Sequence, residues 1–146
     1  MSTHSMIGQQ HQEGTITAIY CHWDGTIEHN GRILVDHYGD VERVMQLLAL
    51  GNLSELGEEI GQAHDFRAHG LEHPTWCLAY KRDRGNVDCM PQVYPDESTY
   101  LEAAECEHDA ASVFLFRGGR WCAYSGQRAA WYDVQAALMA AASGKA

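Results

Sequence analysis

Positive charge is scarce in this chain. Ten Lys and Arg stand against twenty Asp and Glu, a formal net charge of −10 over 146 residues. Gripping nucleic acid requires a cationic footprint that displaces counterions from phosphates, so direct nucleic-acid binding is not expected. No apolar run approaches the roughly 20 residues of a membrane-spanning helix, and no membrane role is expected. There is no G-x-G-x-x-G, no G-x-x-x-x-G-K-[ST] and no G-x-S-x-G. The common phosphate cradles and the hydrolase elbow are therefore missing. Five cysteines, at 21, 77, 89, 106 and 122, never fall as C-x-x-C. Free thiols in a reducing cytoplasm are the simplest account. No internal repeat is present.

What remains is the composition of one ordinary domain. Hydrophobic residues make up 45%, and a chain of this size can bury roughly 70% of its unfolded surface. The acidity is uneven. Residues 1–60 carry a net −7, residues 61–95 are neutral, and residues 96–146 carry −3. Acidity of this kind serves solubility; on one surface it also suits a basic partner.

Residues 1–13, rich in Ser, His and Gln, lack an apolar core segment and are expected to form a flexible N-terminal tail. Thr15–Trp23 alternates as a strand with apolar groups on both faces, and Asp24-Gly25 ends it. Arg32–Tyr38 has helical spacing. Asp40 is a good N-cap for a helix through Leu50, with Val41, Val44, Met45, Leu48 and Ala49 as its stripe and Gly51 behind it. Leu53, Leu56 and Ile60 suggest a short helical turn, and residues 61–74 a polar loop. Trp76–Lys81 reads as a strand turning at Arg82-Asp83-Arg84-Gly85. Val87–Tyr94, interrupted by Pro91, reads as an edge strand. A helix should follow from Asp96 to Cys106, with Ser98 or Asp96 as its cap, then a hairpin of Ala111–Phe116 and Arg120–Tyr124 around Gly118-Gly119, then a helix over Trp131–Ala142. This order predicts a single α+β domain over residues 14–142, with a mostly antiparallel sheet and helices packed on one face. Residues 143–146 are expected to fray.

Three strings, I-T-A-I-Y-C-H-W-D-G, I-L-V-D-H-Y and V-E-R-V-M-Q-L-L-A-L-G-N-L-S-E-L-G, lie within residues 15–57. With Arg82-Asp83-Arg84-Gly85 they resemble a group of small phage- and prophage-borne proteins. That group carries an I-Y-x-H-x-D-G strand end, an L-x-x-H-Y helix and an L-G-x-L-S-x-L-G tail. The chain departs from the pattern after Asp24-Gly25, where Thr26-Ile27 replaces a Tyr-Pro type of pair. The resemblance implies a phage or mobile-element source and no particular reaction. Small acidic proteins of such sources often inhibit host defence systems.

Chemistry-bearing residues gather at the end of the first strand. Cys21 and His22 are strand neighbours pointing to opposite faces, so they cannot form a thiolate–imidazole pair. His22 and Asp24 share a face. The simplest role for them is a hydrogen bond that fixes the turn; the alternative is a pocket with Tyr20, Arg82 and Arg84. Within Arg82-Asp83-Arg84-Gly85, Asp83 is expected to pair with a flanking Arg, and Gly85 to take a positive φ. The His64, His69 and His73 loop lacks paired ligands at familiar zinc spacing, so no metal and no cofactor is expected. Trp23, Trp76, Trp121, Trp131 and Tyr132 read mostly as core, with Trp121 exposed enough to anchor a partner.

Two functions from different classes follow. The first is a phage-type, anti-CRISPR-like inhibitor that acts in the cytoplasm of a bacterial host. It would cover a basic surface of a defence complex with Glu28, Asp36, Asp40, Glu42, Glu55, Glu58 and Glu59. The alternative is a small enzyme or nucleotide-derivative binder with a His/Asp/Arg pocket at the first strand's end. An accessory role through self-association, as a homodimer joined by the Ala-rich last helix, is a third expectation.

Overall fold

The fold is described from a computed structural model covering residues 3–125 and 129–143. Ile16–Cys21 (β2) is the strand that the alternation predicts. Ile16 and Ala18 bury on one face, and Ile19 and Cys21 on the other. Its partner comes from the segment expected to be a tail. Ser5–Gln10 (β1) pairs antiparallel with β2 along its whole length and parallel with Ser112–Arg117 (β6) on its other edge. A turn closed by His11 N–H to Thr15 O (2.8 Å) and Gly14 N–H to His11 O (2.9 Å) joins the two strands. The flexible-tail reading is therefore wrong for these residues. Their polar composition hides a strand whose Met6 and Ile7 bury on opposite faces. Ser5 and Gln9 are buried too. Gly8 makes a close approach possible: a Cβ there would stand 2.9 Å from the Tyr100 hydroxyl. That fully buried phenol donates to Phe114 O at 2.8 Å.

The remaining strands are Leu53–Glu55 (β3), Leu78–Ala79 (β4), Gln92–Tyr94 (β5), Arg120–Tyr124 (β7) and Trp131–Asp133 (β8). The sheet runs β4-β3-β2-β1-β6-β7-β8, and β5 pairs with the first half of β2. Only β1·β6 and β2·β3 are parallel among the described ladders, so the α+β, mostly antiparallel reading holds. The hairpin around Gly118-Gly119 forms as expected.

The helices are Arg32–His37 (α1), Val41–Ala49 (α2), His69–Glu72 (α3), Tyr80–Arg84 (α4), Glu97–Cys106 (α5) and Val134–Ser143 (α6). They do not share one face of the sheet. Leu34 of α1, Val44, Leu47 and Leu48 of α2, and Val134 and Leu138 of α6 pack with Ile7, Ile19, Phe114 and Phe116. Tyr100, Ala103 and Ala104 of α5 cover Met6, Ile16, Val113 and Leu115 on the opposite side. The reason is that β1, β2 and β6 are apolar on both sides. Each fully buried Leu, Ile or Phe side chain stabilises by about 1.5–3 kcal/mol, so both faces need a cover.

Asp40 and Asp96 cap α2 and α5 as expected, accepting from the Arg43 and Thr99 N–H groups. Three local expectations fail. Leu53–Glu55 is a strand instead of a helical turn, drawn into the sheet beside Cys21. The strand expected at Trp76–Lys81 is cut to Leu78–Ala79, and its last two residues begin α4, because the Asp83 carboxylate accepts the Ala79 N–H at 2.8 Å and so favours a helical turn. Trp131–Asp133 pairs with β7 before α6 begins. Of the expected frayed end, Ser143 closes α6 and residues 144–146 lie outside the described residues.

Candidate functional site

The end of β2 gathers aromatic and imidazole groups. Tyr20 Oη lies 2.9 Å from His22 Nδ1. The His22 ring stacks on His4 with centroids 4.7 Å apart and meets the Trp23 indole edge-on. Burial, together with Tyr80, Cys21 and Asp109 nearby, pushes the Tyr20 hydroxyl up to about 12. Burial, and then the neighbouring His4, lowers His22. At neutral pH the phenol therefore keeps its proton and shares a hydrogen bond with a neutral imidazole. Asp24 does not join them. It takes a left-handed φ of 59° and faces His29, 3.9 Å away. Among the described residues no hydrogen bond joins His22 to Asp24, so the proposed brace of the turn is absent.

The two arginines diverge. Arg82 turns inward and forks onto Asp83 at 2.9 and 3.1 Å, with further bonds to Ile60 O and Cys77 O. Asp83, whose side chain is fully buried, also accepts the His64 N–H. Burial alone would raise its carboxyl; the bonds from Arg82, Ala79 and His64 outweigh that and hold it below the usual aspartate range. The expected local pair is thus present, and Gly85 takes its positive φ of 85°. Arg84 stays exposed, its guanidinium over the Phe66 and Tyr80 rings.

Tyr20 and Arg84 line one open cleft of about 520 Å³ together with Asn52, Tyr80, Asn86 and Asp88. His22, Asp24 and Arg82 do not line it. The His/Asp/Arg pocket anticipated from the sequence is not assembled; a Tyr/Asn/Arg cleft stands beside it. Asn52 holds three of its walls. Its side-chain Oδ1 accepts the Tyr20 N–H at 3.0 Å, its carbonyl accepts the Tyr80 N–H at 3.2 Å, and its own N–H reaches Cys89 O at 2.8 Å. Sequence reasoning missed Asn52, whose only signal was its place after the C-terminal glycine of α2.

The thiols of Cys21 and Cys77 offer no nucleophile. Burial raises both, Cys21 to about 12, and a thiol held protonated is inert. The histidine loop forms a chain rather than a ligand set. His64 Nε2 lies 2.8 Å from His69 Nδ1, and His73 stacks flat on Trp76 at 3.7 Å. His69 Nε2 is buried without a hydrogen bond, 3.6 Å from Glu55 Oε1. Among the described residues no three His, Cys, Asp or Glu side chains converge for a metal.

The acidic residues separate into two sets. Asp36, Asp40, Glu42 and Glu58 are exposed. Of these, Glu58 faces His37 at 4.0 Å, and Arg43 donates to His37 O and Glu58 O. Val41 and Met45 of α2 are exposed too, at 49% and 57%, on the side of the helix away from Arg43. The expected stripe had them buried, but Leu47 rotates the buried side of α2 to Val44, Leu47 and Leu48. Glu55 is drawn to His69, Glu59 accepts from Thr75, and Glu28 sits apart in a π-helical turn, Ile27–Gly31. Trp121 is not an anchor: it is 4% exposed and donates its indole N–H to Tyr38 O at 2.8 Å. Trp23, expected in the core, is instead 40% exposed.

No family model, curated protein or solved structure matches the chain.

Proposed function

We propose that the chain is a phage or mobile-element protein that binds and inhibits a bacterial host defence complex, covering a basic protein surface with the outer face of α1 and α2. The observation that carries this reading is the exposure of Asp36, Asp40, Glu42 and Glu58 on and beside α1 and α2, with Val41 and Met45 exposed next to Asp40 and Glu42. Charge at a rim steers encounter and excludes wrong partners, while apolar groups at the centre supply affinity. Exposed carboxylates alone would serve solubility. Val41 and Met45, one helical turn apart and flanked by Asp40 and Glu42, give α2 something to bury.

The test is a panel of bacterial strains, each carrying one defined defence system, challenged with a sensitive phage while expressing this chain. Plaquing should recover in at least one strain. The Asp36→Lys, Glu58→Lys variant should lose that recovery, and the interaction with the inhibited complex should weaken as salt rises. Recovery in no strain, or undiminished recovery with the variant, would refute the proposal. Asp40 and Glu42 are left alone in this design because they cap and begin α2.

A further inference from the structure

We infer that the cleft between β2 and the end of α4 is a binding site for a free mononucleotide, separate from the acidic face. The cleft has a built floor. Asn52 commits its carbonyl, its N–H and its side-chain oxygen to three different walls. The bond through Oδ1 fixes the orientation of the side-chain amide, whose Nδ2 has no partner among the described residues. A donor positioned in this way is organised before any ligand arrives, which lowers the cost of binding.

The other groups supply the complement of a nucleotide. The Arg84 guanidinium has no ion pair among the described residues and lies 5.3 and 5.8 Å from the Phe66 and Tyr80 ring centroids. Stacking holds the plane of the fork and leaves its edge for a phosphate. The Tyr20 hydroxyl, bonded to His22 Nδ1, retains capacity for a second hydrogen bond to the ligand, and the Tyr80 ring, packed against Phe66, gives the cleft an aromatic wall for a base. Asp88 can accept from sugar hydroxyls, as carboxylates do in other nucleotide sites. The volume, about 520 Å³, falls within the roughly 300–1,000 Å³ of small-molecule sites. Tyr80, Arg84, Asn86 and Asp88 come from the stretch of the chain with no net charge, where repulsion of an anion is least.

The test is calorimetric titration with the four 5′-ribonucleoside monophosphates, the matching nucleosides, inorganic phosphate and a short 5′-phosphorylated single strand. At least one monophosphate should bind, with its nucleoside and phosphate each about tenfold weaker or more. Arg84→Ala should cost about tenfold for the monophosphate and leave the nucleoside unchanged. The Asn52 side-chain amide signals should shift in a proton–nitrogen spectrum as ligand is added. Arg84 is exposed, so its replacement spares the fold, and it leaves the acidic face intact. No binding at millimolar concentration, equal binding to Arg84→Ala, or binding of the strand alone would overturn the inference.

Discussion

The two candidate surfaces hold their polar groups in opposite ways. The floor of the cleft and the structure behind it are tied down: Asn52 to three walls, Tyr20 to His22, and Asp83 to Arg82, Ala79 and His64. On the outer face of α1 and α2 the carboxylates stand in solvent, and Arg43 reaches backbone carbonyls instead of pairing with them. Fixed groups discriminate among small ligands because they pay little to be ordered. Loose charges act at a distance and suit a macromolecular partner. The contrast therefore predicts where substitution costs stability and where it costs only binding.

The largest cost should fall behind the cleft, at Asp83. Its carboxylate is fully buried and anchors α4, which carries Tyr80 and Arg84. Asp83→Ala leaves Arg82 without its partner and should destabilise by about 3–5 kcal/mol in a denaturant titration. A loss near zero would mean that the cleft wall does not depend on this pair. Next comes Asn52→Ala, which strands the Tyr20 N–H and should cost about 1–3 kcal/mol. Because the amide also lines the cleft, the same variant should abolish the Asn52-dependent part of ligand binding.

These sites also show what was legible in the sequence. The helices capped by Asp40 and Asp96 and the hairpin at Gly118-Gly119 were readable because periodicity, cap and turn chemistry lie within a dozen residues. Tyr20 and Arg84 were readable as residue types. Their pairing was anticipated, but with the wrong companions: the cleft depends on Asn52, 32 residues from Tyr20, and on a loop that only the sheet brings near, and it leaves out His22, Asp24 and Arg82. Ser5–Gln10 escaped for a similar reason. Its buried polar groups are satisfied by distant partners, as with Ser5, whose hydroxyl lies 3.5 Å from Asn30 Nδ2, and no local pattern records that.

Acid should weaken the fold. Burial lowers His22, His69 and His108 below the usual histidine value, with Glu55 and Glu107 only partly offsetting it for the last two. Above about pH 6.5 all three are neutral in both the folded and the unfolded chain. As pH falls below that value the unfolded chain takes up protons first, so stability declines until the folded histidines titrate in turn. The Asp83 contribution is lost only lower, under the ordinary aspartate range, because its pKa is depressed. Tm should therefore be lower at pH 5.5 than at pH 7.5. For His69 the facing groups are Glu55, His64, His73 and Asp83, and His69→Asn should flatten part of the slope. A Tm that rises on acidification contradicts this assignment.

The smallest change in stability is expected on the acidic face, and its smallness is the point. Among the described residues the Glu58 carboxylate pairs only with half-exposed His37 at 4.0 Å, and exposed pairs of that kind contribute about 0–1 kcal/mol. Asp36 lies in the last turn of α1, where a lysine suits the helix dipole better than a carboxylate. Each reversal should shift the unfolding free energy by no more than about 0.5 kcal/mol. Arg43 should stay in place, since its acceptors are backbone carbonyls that neither substitution removes. A variant that melts like the parent and yet fails to restore plaquing would assign the face to a partner. One that loses several times that stability would show the carboxylates bracing α1 against the segment at Glu58, and the contrast between a fixed cleft and a free acidic face would fail with it.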